Sequence, residues 1–405
     1  MEDVDELIYT AVFSSNNNEK QQARLIIRKK AQQLGIFTAS INNLYRAIGR
    51  GALRQNGTGF TVAAINIRTL TYDTARLIFR LMTEQAIGAV IFEIARSEIG
   101  YTDQSPDEYA VSILAAAVKE NYQGPVFLQG DHFQVNEIEQ TKNLIKQALN
   151  AGFYNIDIDA SVLVNLSLPD LDAQQRQNYE TTAELTQYVR QQQLQGVTVS
   201  IGGEIGHIGG KNSTVADFEA FMKGYTALVK DNGISKISVQ TGTTHGGVPL
   251  PAGMLIPITP DFTILHDIGL VARKKYGLGG AVQHGASTLP IEHFPKFVEA
   301  QTLEIHLATG WQNIVFETMP QSLREEIYQW LFDNQKADWQ EGWSKEQFIY
   351  KTRKKTLGPF KKKLWNLTDE EKRPMLQNLT QRFTDIFENL GLFNTKNTVA
   401  KYIHQ

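Results

Sequence analysis

The run Gly124-Pro-Val-Phe-Leu-Gln-Gly-Asp131-His132 passes through a helix-spaced segment, Asn136–Ala151, into Tyr154-Asn-Ile-Asp157-Ile-Asp159-Ala-Ser161. A short apolar run, a longer segment of helical period and a second short run make a βαβ unit, and so two parallel strands. Such crossovers are almost always right-handed. Both short runs end in residues that carry chemistry, not in plain turn residues.

The same alternation extends outward in both directions. Strands are expected at Thr61–Ile67, Gly88–Glu93, Pro125–Gln129, Tyr154–Ile158, Thr198–Ile201, Lys236–Gln240, Ala281–Gln283 and Leu303–Leu307. Helical patterns lie between them at Thr71–Thr83, Asp107–Asn121, Asn136–Ala151, Asn178–Gln195, Val215–Lys230 and Pro290–Ala300. Eight such units over about 250 residues match a (β/α)8 TIM barrel, although an open doubly wound α/β sheet also accommodates the alternation. The expected organisation is an N-terminal helical segment over 1–58, a barrel over 59–319 and a C-terminal helical extension over 320–405. Residues 1–57 read as helical and polar, with helices at Gln21–Leu34 and about 40–54 and a turn at Asn56-Gly57. The extension carries five aromatics in Tyr328–Trp343 and seven basic residues in Lys351–Lys363, a composition suited to capping the barrel or meeting a partner subunit.

With 405 residues, 42% of them hydrophobic, the chain can bury a large core. A net charge of −3 points to neither nucleic acid nor membrane as a partner. The absence of cysteine excludes disulfides, thiolate catalysis and cysteine-ligated zinc. The start, Met-Glu-Asp-Val-Asp-Glu-Leu, has no secretory pattern, and no apolar run reaches the roughly 18 residues that span a bilayer. A cytoplasmic location is expected.

Four histidines follow β-type runs: His132, His245, His284 and His306. In a parallel barrel these strand ends converge on one mouth, where active sites are built. Together with Asp131, Asp159 and Glu204 they supply the imidazoles and carboxylates that hold a divalent metal. Gly130-Asp131-His132 alone reads equally well as a tight turn with a capping Asp; in the constellation, Asp131 suits a general acid or base and His132 a ligand. Asp157 and Asp159 share one face of their strand, which burial makes costly unless they are paired or metal-bound. Asp159-Ala-Ser161 could also simply cap the next helix. The glycine-rich Gly202-Gly203-Glu204-Ile-Gly206-His207-Ile-Gly209-Gly210 lacks the spacing of a dinucleotide site. Its glycines would let backbone approach a ligand, with Glu204 as a ligand or a ligand's partner and His207 on a lid. His245-Gly246 and His284-Gly285-Ala286-Ser287 repeat one pattern a βα unit apart: a histidine for metal, then small residues whose N–H groups suit an anion. Barrel phosphate sites often use the last two loops, which would set Ser287 and Thr309 against one phosphate.

These motifs, in this order over about 60–315, resemble the class II, zinc-dependent fructose-bisphosphate and tagatose-bisphosphate aldolases. The resemblance implies that Asp131 is the catalytic acid/base and that His132, His245 and His284 bind one catalytic zinc per chain. It further implies that Glu204 and Asp159 are alternate ligands or orienters. Asn66, Gly246, Gly285, Ala286, Ser287, His306 and Thr309 would form the substrate and phosphate side, where a monovalent cation is a further option. The substrate would be a phosphorylated sugar, and the assembly a homo-oligomer, a dimer or tetramer. The whole length is also similar to the Z-type subunit of tagatose-bisphosphate aldolase, usually regarded as a partner or chaperone subunit. Retention of both His-Gly pairs favours a working zinc site.

The chain departs from the family in three places. Lys211-Asn212-Ser213 stands where Glu and Asp are usual, Val248-Pro249-Leu250 replaces a Tyr-Lys, and His306-Leu307-Ala308-Thr309-Gly310 replaces Asn-x-Asp-Thr-Asp. A carboxylate that moves protons is thereby lost, and the cation for the distal phosphate is left open among Arg68, Arg96, Lys211 and a basic tail residue of a neighbouring subunit. Other metal-dependent barrel enzymes, isomerases or hydrolases, remain alternatives, as does a binding protein.

Overall fold

In the computed structural model, which describes residues 3–51, 59–206, 210–243, 250 and 258–403, the strands close into a ring. Among these residues the strands are β1 (Ile36–Thr38), β2 (Val62–Asn66), β3 (Val90–Ala95), β4 (Gly124–Gln134), β5 (Asn155–Asp159), β6 (Ser200–Glu204), β7 (Lys236–Val239), β8 (Ala281–Gln283) and β9 (Glu304–Leu307). Each of β2 to β9 pairs in parallel with its successor, and β9 returns to β2 with Val62 opposite Glu304. This is a (β/α)8 barrel; the open-sheet alternative is excluded by that last pairing. The expected strands lie within a residue or two of the observed ones, except that β4 runs on to Gln134, past the motif Asp131-His132, and β6 ends three residues later than expected, at Glu204. Asn56-Gly57, His207, His245, Gly246 and Val248-Pro249 lie outside the described residues.

Helix boundaries follow local capping. Ser105 accepts a hydrogen bond from the Glu108 N–H ahead of the helix Pro106–Lys119, whose first residue is the proline favoured there. Thr214 and Asp217 form a reciprocal capping box for Val215–Leu228.

The N-terminal region differs from its polar reading. It includes β1, which pairs with the start of β4 (Ile36 opposite Gly124), too short a run to announce itself by alternation. Its helix Asn42–Gly49 is amphipathic and plugs the end of the barrel opposite the mouth. Ile41, Leu44, Tyr45 and Ile48 are buried there against Val62, Ile91, Phe127 and Leu303. Val4, Leu7, Ile8 and Ala11 of the first helix, Val4–Phe13, are buried as well.

Above the plug lies a charged layer. Lys236 has no exposed surface, and its Nζ contacts Glu304 Oε1 at 2.5 Å, Gln129 Oε1 at 2.8 Å and Asp157 Oδ1 at 2.9 Å. Gln129 in turn donates to Glu93 at 2.8 Å and Glu304 at 2.9 Å, and the plug's Tyr45 hydroxyl donates to Glu304 Oε2. Gly202 makes room for this layer, because a Cβ there would lie 2.3 Å from Asp157 Oδ1. The glycine pair Gly202-Gly203 thus sits inside β6 for packing, not on a loop that approaches a ligand.

The C-terminal extension folds onto its own barrel. Its helix Asp369–Asn389 packs Phe383 against Trp311 with ring centroids 4.3 Å apart, and Lys372 pairs with Asp73 at 2.9 Å. The tail aromatics stack on one another, Trp339 on Phe348 at 4.6 Å. Among the described residues no helix is long and apolar enough to cross a membrane.

Removing one partner of a buried ion cluster strands the others, at about 3–5 kcal/mol. Lys236→Met is expected to lower unfolding stability by about that much in urea titrations, while a loss below roughly 1 kcal/mol would show that the cluster holds little of the barrel together.

Candidate metal and active site

The mouth is shaped by the end of β4. A register irregularity against β5 falls between Gly130 and Phe133, and His132 takes a φ of 39°, in the left-handed region. Such a conformation costs on the order of 1–3 kcal/mol for a residue with a side chain, and tight packing around it must hold it. Phe133 is fully buried beneath, and a Cβ on Gly130 would lie 2.4 Å from its ring. The Gly-Asp-His motif is therefore a bulge that aims two consecutive side chains into the mouth.

His132, Glu204 and His284 each offer a ligand atom, all within 4.8 Å of one another. His132 Nδ1 lies 3.1 Å from Glu204 Oε2 and 3.3 Å from Asp159 Oδ2, and the His132 and His284 rings stand 4.0 Å apart. Asp159 is held from behind, its Oδ1 accepting from the Ser161 N–H at 3.1 Å and the Ser161 hydroxyl at 2.6 Å. These bonds close a local turn; the short 3-10 helix Ser161–Leu163 takes Ala160 as its N-cap, without a side-chain cap from Asp159. Two imidazoles and a carboxylate at this spacing could hold a divalent metal ion, with Asp159 beside His132 where an orienting partner would stand.

The electrostatics agree with a site built for a cation. Burial, reinforced by the Asp159 charge, pushes the Glu204 carboxyl up to about 7. Burial opposes charging His132, but Glu204 and Asp131 outweigh it and hold the imidazole well above its usual range. Without a metal the pair retains protons that a cation would displace.

Asp131 faces the other way. Its Oδ2 accepts from Asn66 Nδ2 at 2.9 Å, and its Oδ1 lies 3.0 Å from His306 Nδ1. Burial would raise this carboxyl, but the charges of His132 and His306 hold it well below the carboxylate range, so it is ionised. His306 Nε2 lies 2.7 Å from Glu304 Oε1, which joins Asp131 to the charged layer beneath. Both ring nitrogens of His306, expected on the substrate side, face carboxylates, Asp131 and Glu304.

A cavity of about 630 Å³ opens above these groups. Asn66, Asp131, His132, Asp159, Glu204, His284, Gly285, Ser287, His306 and Thr309 all border it. Ala286 does not, being fully buried with its N–H directed to the His306 carbonyl at 3.4 Å. Ser287 Oγ accepts from the Gly310 N–H at 3.0 Å, and Thr309 Oγ1 accepts from Arg68 at 3.2 Å. Lys211 lies elsewhere, beside a smaller cavity near Ser213 and 3.8 Å from Asp217, and so drops out as a cation for this site. Sequence reasoning missed Glu98, which ties Arg68 (2.6 Å) to Asn66 (3.0 Å), and Lys354 of the extension, which reaches the same cavity.

The profile of the family described as fructose-bisphosphate aldolase class-II matches residues 53–385. No curated protein matches the sequence. Among solved structures, the fructose-bisphosphate aldolase of Campylobacter jejuni aligns at 15% identity and TM-score 0.54, over 89% of this chain and 96% of its own. The fructuronate-tagaturonate epimerase of Cohnella laeviribosi aligns at 12% identity and TM-score 0.57, over 98% of this chain and 90% of its own. At these identities the likeness is one of fold.

Because Glu204 must shed its proton to bind a cation, affinity for a divalent metal such as zinc is expected to rise as pH passes through about 7, and to go on rising as His132 loses its proton. Titration with a competing chelator measures this, and a pH-independent affinity would remove Glu204 from the ligand set. In the same assay Asp159→Ala is expected to weaken binding by about 10–100-fold, the usual effect of losing an orienting partner.

Proposed function

The chain belongs to the class II fructose-bisphosphate aldolase family, and on that premise we propose that it cleaves a ketose bisphosphate, fructose 1,6-bisphosphate first among them, to dihydroxyacetone phosphate and glyceraldehyde 3-phosphate. The observation that carries this reading is Asp131, gripped by Asn66 and His306, adjacent in sequence to His132 of the group His132, Glu204 and His284, and itself grouped with His284 and His306. The proposed cation is one zinc ion per chain, held by His132, His284 and Glu204, with His245 as the further ligand implied by the motif. When bound, it supplies Lewis acidity that polarises the ketose carbonyl and stabilises the negative charge left by carbon–carbon cleavage.

The chain's own residues do the rest. Asp131 takes the proton from the C4 hydroxyl as the C3–C4 bond breaks to give the aldehyde, a proton from water completes dihydroxyacetone phosphate at C3, and in the synthetic direction Asp131 returns its proton to the C4 oxygen. Asn66 and His306 keep the carboxylate oriented and ionised. Gly285, Ser287 and Thr309 form the wall proposed to hold the phosphate nearer the ketose carbonyl. Ala308 and Gly310 stand where the family carries carboxylates, which leaves Asp131, held by Asn66 and His306, as the proposed base.

Asp131→Ala is expected to retain zinc and lose about 10²-fold or more in kcat for cleavage, followed by coupled detection of triose phosphate. Unchanged turnover would take Asp131 out of the reaction.

A further inference from the structure

The wall of the cavity bearing Arg68, Arg96 and Lys354 carries charge opposite to the metal side. Arg68 is paired, with Glu98 at 2.6 Å. Arg96 rests on neutral acceptors: the Gln134 carbonyl at 2.6 Å, Gln140 Oε1 at 2.9 Å and Thr141 Oγ1 at 3.2 Å. Lys354 stands 5.6 Å over the Tyr101 ring, and among the described residues no carboxylate comes within ion-pair reach of it. Three cations therefore share one carboxylate, an excess of two positive charges on this wall.

Lys354 is placed there by design of the tail, not by chance reach of a long side chain. The Gly358 N–H donates to the Tyr101 carbonyl at 2.9 Å, an approach that only glycine allows, since a Cβ would lie 2.9 Å from that oxygen. Lys361 bonds the Asp103 carbonyl and Glu108, and Arg353 bonds Asn313 Oδ1 at 2.7 Å while lying 4.9 Å over Phe316. The turn carrying Lys354 is thus pinned to the segment after β3 and to the helix after β9. Burial and the nearby Arg68 charge both lower the Lys354 pKa, as expected for cations held together with too little counter-charge.

We propose that Lys354, with Arg68 and Arg96, forms the receptor for the substrate's distal phosphate, so that the C-terminal extension completes the sugar-phosphate site within a single chain. The inference rests on the sugar-phosphate reading of the cavity. An excess of two charges matches a phosphate dianion; a carboxylate would neutralise only half of it. The ligand then spans the mouth, with its carbonyl end at the imidazoles and its far phosphate under the tail.

The test uses the full-length zinc enzyme, wild type, Lys354→Met and Lys354→Arg. KM is measured for fructose 1,6-bisphosphate and for fructose 1-phosphate, which lacks the distal group. Lys354→Met is expected to raise KM for the bisphosphate about tenfold, to leave the monophosphate within about twofold, and to be largely rescued by Arg. Equal effects on both substrates, or on neither, overturn the proposal. Calorimetric titration with inorganic phosphate, and with acetate as a carboxylate control, gives an independent reading. If no ketose bisphosphate is cleaved but phosphate binding falls several-fold in Lys354→Met and acetate binding does not, the aldolase reading fails and the receptor stands. If cleavage proceeds while phosphate affinity is the same in both proteins, the receptor fails and the aldolase reading stands. A loss of acetate binding alone overturns the phosphate assignment.

Discussion

A lysine ammonium with no access to water sits at the centre of this barrel, and the arrangement above and below depends on how it is neutralised. Burying such an ion costs several kcal/mol, repaid only by well-formed charge pairs and hydrogen bonds. Lys236 finds Glu304, Asp157 and Gln129, contributed by three other strands, and Glu93 joins through Gln129. These contacts require strand registers that bring all five residues to one level. The same Glu304 takes the Tyr45 hydroxyl from the plug helix below and contacts His306 above. One hydrogen-bonded path thus runs from the closed end of the barrel to Asp131 at the mouth. The layer is structural in its chemistry and catalytic in its consequence, because the His306 charge it helps to hold keeps Asp131 ionised despite burial.

The mouth is divided electrically. On one side Asp159, Glu204 and Asp131 surround imidazoles, a setting that a divalent cation completes. On the other, Arg68, Arg96 and Lys354 outnumber Glu98. In a cavity where water is partly excluded, neither half is well screened, and each is stabilised by a ligand group of the opposite sign. The proposed sugar phosphate would satisfy both halves at once, whereas a neutral ligand would satisfy neither.

Much of this was legible in the amino-acid sequence. The eight barrel strands could be read because buried parallel strands are short apolar runs between helical spacings, and their ends carried the Asp-His, Asp-Ala-Ser, Glu and His-Gly motifs that the structure gathers at one mouth, save those outside the described residues. What escaped notice was polarity at period two inside strands. Asp157 with Asp159 was seen as a shared face; Glu304 with His306 is the same signal, and it marks the charged layer and the mouth on one strand. Lys236 opened a strand and read as an ordinary boundary residue, since nothing local says that its side chain turns inward. β1 was too short to show a period. Lys354 was one of seven basic residues in its stretch, and only the tail's docking onto Tyr101 and Asn313 selects it.

The segment after β9 shows how a departure from a motif can be read as a change of charge. Ala308 and Gly310 stand where the family carries carboxylates, and between and beyond them Arg68 Nη1 donates to the neutral Thr309 Oγ1 and Gln312 Oε1, each at 3.2 Å. Gly310 lies so close to the preceding loop that a Cβ would fall 2.4 Å from the Ser287 carbonyl, so no side chain could be restored at that position without moving the backbone. The run Ala308–Gln312 therefore brings no negative charge to the cavity that Lys354 of the tail also lines.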